Sequence, residues 1–192
     1  SSASRGIAWK NIFNTNLGAV NQSTAAIDVW PRGGNWLGNP TSGTVYFTMF
    51  TPQSDVTVSS LTAISATTAT SGTSLVRFGI YTTDGVTATL VARTAADSTI
   101  FSSLNTSYNR ALSTTGGFPA SYTLLAGARY AFAVIIVAST PGSVYTAFDA
   151  PPAALSSLAP RITGAYAGQT DLPTSVPSFS SSTIGVWGRL SV

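Results

Sequence analysis

The chain has 192 residues, of which 44% are hydrophobic and only 8% are charged, and it contains neither Cys nor His. Because soluble proteins average roughly 25% charged residues, its surface must be built largely from the 55 Ser and Thr residues together with Gly and Ala. The composition excludes disulfides, Cys-ligated metals, imidazole zinc sites and Ser-His or Cys-His catalysis.

The net charge of +3 comes from nine basic and six acidic residues. The basic residues are spread singly along the chain, whereas phosphate binding favours clusters on one face, so we expect no nucleic-acid partner. So few charges give little repulsion between copies, which favours a homo-oligomer. The alternative is a secreted monomer with a face rich in Ser and Thr.

Residues 1–44 differ from the rest of the chain. They contain three of the four Trp residues, and the segment 30–43 (WPRGGNWLGNPTSG) is dense in turn-forming residues, which disfavours a helix or a central strand. We therefore predict an extended N-terminal docking arm over 1–44; the alternative is that its aromatic side chains fold back over the body of the chain. The aromatic residues expected to anchor it on a partner are Trp9, Phe13, Trp30 and Trp36.

Strand patterns begin at Val45. The runs 45–50 (VYFTMF) and 56–69 are apolar or loosely alternating. The segment 75–93 predicts a hairpin, because Val76, Phe78 and Ile80 alternate with residues of the opposite face and an Asp-Gly pair at 84–85 supplies the turn.

The rest of the chain continues this pattern. Residues 95–120 are expected to form mostly loop, and 121–138 a second hairpin turning near Ala126-Gly127, with a second arm that is buried on both faces. A short strand at 143–148, a Ser/Pro/Thr loop at 168–183 and a strand from 183 to the last residue complete the prediction.

The predicted fold is all-β: a single antiparallel β-sandwich, jelly-roll-like, over residues 45–192. The residues expected to share its core are Val76, Phe78, Ile80, Leu90, Leu124, Phe132, Val134 and Ile136. The start of the chain lacks the apolar stretch of a signal peptide, and the longest apolar run, 130–138, is too short to cross a bilayer, so we expect no membrane insertion.

Catalytic arrangements are disfavoured. The chain has no Glu, so a carboxylate pair would have to come from its six Asp residues, and Asp84 and Asp149 are explained by a turn and a strand end. A Ser–Lys dyad would need Lys10, in the predicted arm. Phosphate-binding Gly loops and Asp-x-Asp calcium loops do not occur. We therefore expect no enzyme, no catalytic residues, no cofactor and no metal.

Two further aromatic residues, Tyr108 and Phe118, fall in predicted loops. An exposed ring there could stack on a sugar or contact a partner. We take both as candidates for surface or glycan contact; the alternative is that they close the ends of the sandwich.

The middle of the chain resembles β-sandwich domains of tailed-bacteriophage virion proteins, namely minor tail, fibre and capsid decoration proteins. The similarity covers about 75–140 and rests on Gly79-Ile80-Tyr81, Thr89-Leu90-Val91-Ala92, Tyr122-Thr123-Leu124, Gly127 and Tyr130. It implies a structural protein displayed on the virion surface, and it carries no catalytic residues over to this chain. The similarity does not extend to residues 1–44; from the predicted arm and the absence of Cys we expect assembly in the host cytoplasm and attachment to other virion proteins through the arm. The alternative function is a carbohydrate-binding module or adhesin domain that recognises host-surface glycans.

Overall fold

The computed structural model describes residues 22–23, 25–30, 36–147 and 157–192, and these contain strands and no helix. The strands are β1 (Gln22–Ser23), β2 (Ala26–Asp28), β3 (Leu37–Gly38), β4 (Thr44–Phe50), β5 (Val56–Val58), β6 (Ser60–Ile64), β7 (Ser71–Thr83), β8 (Ala88–Arg93), β9 (Ser107–Ala111), β10 (Tyr122–Leu124), β11 (Tyr130–Thr140), β12 (Val144–Tyr145), β13 (Thr163–Tyr166), β14 (Ser175–Val176) and β15 (Arg189–Ser191).

Two antiparallel sheets form the β-sandwich predicted from the sequence. The six-stranded sheet has the order β13-β4-β11-β7-β8-β14, and the five-stranded sheet has the order β1-β2-β15-β6-β9. Strand β11 lies at the centre of the larger sheet and is buried on both faces over most of its length, as its continuous apolar sequence predicts. The predicted β7–β8 hairpin is also confirmed.

The predicted second hairpin is wrong. Strand β10 pairs with β5, not with β11, through the register Tyr122↔Val58. The loop between β10 and β11 is tied to the segment before β5, since Gly127 N donates to Pro52 O at 2.9 Å and Ala126 N to Asp55 Oδ1 at 2.7 Å. These bonds direct β10 away from β11, which instead pairs with β4 and β7.

Two other stretches differ from expectation. The predicted loop 95–120 contains β9, which pairs with all five residues of β6. The predicted last strand from 183 to 192 is regular only over 189–191, although Val186 makes an isolated bridge to Thr146. Polar Ser107 and Asn109 weaken the strand pattern of β9, and Gly185 and Gly188 interrupt the predicted last strand. Alternation of apolar residues therefore does not show where these two strands begin and end.

The apolar residues form two layers, one on each face of the six-stranded sheet. The inner layer lies between the two sheets and contains seven of the eight predicted core residues. Leu90 is the exception and belongs to the outer layer, because the register shifts between Ile80 and Tyr81 and sets Leu90 opposite Tyr81.

The outer layer is covered by residues 167–182, which we call the strap. Its buried side chains Leu172, Val176 and Phe179 pack on the outer face of the sheet. The ring of Phe179 lies 4.8 Å, centroid to centroid, from that of Phe47. The stretch predicted as a polar loop therefore supplies one wall of the outer core.

Residues near the chain start also belong to the sandwich. Strand β2 pairs with β15, and Ile27 is fully buried in the inner layer. The predicted limit between arm and sandwich at residue 44 is therefore wrong for β2. Ile27 pairs with Leu190, near the other end of the sequence. A pairing between such distant residues cannot be predicted from local sequence patterns. Residues 1–21, with Trp9 and Phe13, lie outside the described residues.

Candidate functional site

Trp30 and Trp36, two of the predicted docking residues, lie within the sandwich. The Trp30 side chain is half-buried against the inner core, and its carbonyl accepts a hydrogen bond from Trp187 Nε1 at 3.2 Å. Trp36 is also half-buried, and its carbonyl accepts from Thr146 N at 3.0 Å. Trp30 is thus packed in part on its own fold, because the neighbouring β2 is a sheet strand. That Trp30 and Trp36 also contact a partner stays a prediction.

Tyr108 does not offer an exposed ring, so its prediction as a surface or glycan contact is wrong. It lies in β9 with 7% exposure, and its ring packs edge-on against Phe101 at 5.5 Å. Its hydroxyl accepts a hydrogen bond from Ser103 N at 2.8 Å. The position reads as loop in the sequence only because Ser and Asn flank it.

Phe118 is half-exposed, and one face of its ring is covered. The Arg93 guanidinium lies 4.7 Å from the ring centroid, a cation–π contact. The ring also packs on the outer apolar layer. Phe118 therefore holds a loop against the sheet and leaves only part of its surface for a ligand.

Arg93 belongs to an ion cluster that fixes the strap. Asp171, in the strap, accepts from Arg77 Nη1 and lies 3.4 Å from Arg93 Nη1. Beside it the Tyr81 hydroxyl donates to Pro173 O at 2.8 Å. Burial, followed by the charge of Asp171, raises the pKa of Tyr81, so the phenol stays protonated and able to donate. These contacts join strap and sheet and have a structural role.

Three loops meet at one end of the sandwich, which we call the hairpin end. They are the β7–β8 loop (84–87), the β10–β11 loop (125–129) and the segment 157–162. Arg161 N donates to Gly85 O at 3.3 Å, and an Arg129 Nη2 atom donates to Arg161 O. Gly85 has φ +88°, and a Cβ there would lie 2.7 Å from Pro160 Cβ, so the close approach needs glycine.

The hairpin end concentrates exposed apolar side chains. Seven large apolar residues are exposed in the described part of the chain, and four of them lie on these three loops. We call these four the end patch: Val86, Leu125, Leu158 and Ile162. The exposure of Leu158 reaches 62%. A concentration of this kind is typical of a surface that contacts another molecule.

A shallow, wide-open cleft of about 360 Å³ lies beside the end patch, between the β7–β8 hairpin and the start of β11. Threonine side chains line much of it, and Asp84 and Arg129 contribute one carboxylate and one guanidinium. The cleft exists because Tyr130 pairs with Thr82 in the sheet, which places the loop before β11 beside the hairpin.

Both charged groups of the cleft are held in place. Asp84 Oδ1 accepts from Thr87 N at 2.6 Å and from Val86 N at 2.7 Å, and these bonds lower the pKa of Asp84. Burial lowers the pKa of Arg129, while the charge of Asp84 raises it. Since Arg129 Nη2 also donates to Arg161 O, the cleft presents an anion and a cation that are both held by hydrogen bonds.

Sequence reasoning assigned Asp84 to its turn, which the structure confirms, but did not connect it with Arg129. The two residues are 45 positions apart, and only the pairing of β7 with both β8 and β11 brings them to one cleft. The available signal in the sequence was Arg129 beside the Ala126-Gly127 turn, and this pattern does not show which carboxylate lies near the arginine.

Among the described residues, no group of three or more Asp, Glu, His or Cys could hold a metal ion. Nor does any helix there have the length and apolarity to cross a membrane. Compared with known proteins, the chain matches no family model and no curated protein.

Proposed function

We propose that the chain is a non-enzymatic structural protein of a tailed-phage virion, displayed on the particle surface and attached through protein–protein contacts. The resemblance of 75–140 to virion β-sandwich domains suggests the class of particle. The observation that carries the attachment is the end patch, in which four exposed apolar residues lie on the three linked loops of the hairpin end, in a chain that is only 8% charged.

Physical chemistry favours assembly through this patch. Transferring apolar surface from water to a contact contributes about 25 cal/mol per Å², and the scarce charges provide little repulsion between copies. The loops that carry the patch are tied together by backbone hydrogen bonds such as that from Arg161 N to Gly85 O. The patch is therefore pre-formed, which reduces the entropy lost on association.

The first experiment tests the particle. A tagged copy of the chain is expressed during infection, and virions are purified through a density gradient. We expect the chain to band with the particles at a fixed copy number. Two results together would overturn the proposal. The tagged chain would be found only at the top of the gradient, and mass spectrometry would detect no untagged chain among the particle proteins.

The second experiment tests the surface. The double variant Leu158→Ser/Ile162→Ser removes half of the end patch. We expect it to lose self-association in sedimentation velocity and to lose particle incorporation. The matched control is Leu37→Ser/Leu104→Ser, which alters residues of 45% and 51% exposure outside the end patch and should behave as wild type. Equal behaviour of both double variants would contradict attachment through the end patch.

A further inference from the structure

The cleft at the hairpin end has a rigid polar wall. Besides the two bonds to Asp84, the Thr83 hydroxyl accepts from Gly85 N at 2.9 Å and donates to Thr87 O. The turn is therefore fixed by side-chain bonds as well as by the β7–β8 ladder. A ligand would meet groups that are already in position, so it would not have to order them.

Hydrogen-bonding capacity remains after these internal bonds are counted. An ionised carboxylate has about four lone-pair positions, and the two backbone donors to Asp84 use one of its oxygens. Arg129 has five N–H donors, of which one Nη2 bond goes to Arg161 O. The Thr87 hydroxyl also bonds Asp84, and it and the hydroxyl of the exposed Thr89 can still accept hydrogen bonds.

We infer that this cleft binds a neutral saccharide, with Asp84 accepting from sugar hydroxyls, Arg129 donating to sugar oxygens and the threonine hydroxyls completing the contacts. A hydroxyl can donate to a carboxylate and accept from a guanidinium, so a sugar diol matches neighbouring groups of opposite charge. A volume of about 360 Å³ lies within the roughly 300–1,000 Å³ of small-molecule sites.

The charge balance argues against a simple anion site. Arg129 is opposed by Asp84, because both line the cleft and a Cβ on Gly85, next to Asp84, would lie 3.2 Å from Arg129 Cζ. A phosphate or an isolated carboxylate would be repelled by Asp84. A zwitterionic amino acid also carries both charges, but it would not use the threonine hydroxyls at the rim, so it would form fewer hydrogen bonds than a saccharide.

The site lies apart from the aromatic residues that the sequence suggested for glycan contact. Tyr108 is buried, and Phe118 is covered on one face by Arg93. Recognition in the cleft therefore depends on hydrogen bonds to Asp84 and Arg129, so it should depend strongly on the stereochemistry of the sugar hydroxyls.

The test is titration of the isolated chain, labelled with ¹⁵N, with maltose, cellobiose, lactose and glycine as separate probes. We expect at least one disaccharide to shift the amide signals of 82–89 and 128–130, and glycine to leave them unchanged. Because hydrogen bonds to charged groups are stronger than those between neutral groups, Asp84→Asn or Arg129→Gln should weaken binding about tenfold or more.

Asp97 and Arg110 supply matched controls. Asp97 Oδ1 accepts from Thr99 N, two residues on, at 2.7 Å, as Asp84 Oδ1 accepts from Val86 N, and Asp97 pairs with Arg110 outside the cleft. Asp97→Asn and Arg110→Gln should bind the sugar as wild type does. Near-ultraviolet circular dichroism confirms that each variant is folded.

Three results would overturn the inference: no shift with any sugar, shifts with glycine alone, or equal affinity of the cleft and control variants. The experiment uses the isolated chain without particles. Failure of sugar binding therefore leaves the proposed virion role untouched, and failure of particle incorporation leaves the cleft untouched.

Discussion

Gly188 and Phe132 permit a quantitative test of the inner core. Gly188 precedes β15, and its carbonyl accepts from Val29 N at 2.9 Å. A Cβ at this position would lie 2.5 Å from both Cδ1 and Cε1 of the fully buried Phe132 ring. Carbon atoms in favourable contact are about 3.5–4.0 Å apart, so Gly188→Ala forces a displacement of about 1 Å in a packed interior.

The expected free energies follow from this geometry. Gly188→Ala should lower the free energy of unfolding by about 1–3 kcal/mol through overpacking, and Phe132→Ala by about 3–5 kcal/mol through the cavity it creates. In the double variant the new methyl group enters the space left by the ring. The decrease in the free energy of unfolding of the double variant should therefore be about 1–2 kcal/mol smaller than the sum of the two single decreases, within the range measured for contacting residues.

The assay is urea unfolding at equilibrium, with the slope checked for constancy between variants. Gly164 and Phe179 form a second such pair on the other face of the six-stranded sheet, where a Cβ on Gly164 would lie 2.9 Å from Phe179 Cγ. Gly164→Ala combined with Phe132→Ala should therefore be additive. Additivity of Gly188→Ala with Phe132→Ala would refute the packing described for the inner layer.

Two further predictions concern charges. Asp171→Ala leaves the buried Arg77 guanidinium without its carboxylate, and since Asp171 is 40% exposed, we expect the free energy of unfolding to fall by about 1–3 kcal/mol. We also expect faster hydrogen exchange at Leu90 N, which donates to Thr174 O of the strap. Unchanged exchange there would contradict the role of Asp171 in fixing the strap. For Asp97, burial raises the pKa, but bonds from Thr99 and Arg110 outweigh it and hold the folded pKa below the ordinary value of about 3.9. Its stabilising contribution is thus present above about pH 4 and lost as the pH falls through the folded pKa, so the stability deficit of Asp97→Asn should shrink from pH 7 to pH 3, and a constant deficit would contradict this assignment.

The sequence predicted those parts of the fold in which pattern and pairing are both local. The β7–β8 hairpin has alternating residues and a Gly turn, and β11 has an apolar run that suits only a doubly buried strand. Residues such as Phe78 and Phe132 could be assigned to one core because their spacing places them on one face.

The remaining features depend on contacts between distant segments. Strand β2 has three residues and pairs with β15 at the other end of the chain, so no local pattern distinguishes it from an arm. The strap reads as a polar loop because Leu172, Val176 and Phe179 are separated by Ser, Thr and Pro. The cleft requires Asp84 and Arg129, which only the sheet register brings together.

The arrangement of the sheets bears on where another molecule can attach. Both faces of the six-stranded sheet are buried, one by the inner core and one by the strap. On the five-stranded sheet, Ala26 and Thr62 are buried although they alternate with the core residues Ile27 and Leu61.

The edge strands β1, β13 and β14 have two, four and two residues, and short edges present few free backbone groups for strand addition. Beside edge strand β9, Leu112 is bridged to Thr94. These features leave the loops at the ends of the sandwich as the main described surfaces for binding, and the hairpin end combines exposed apolar side chains with a polar cleft.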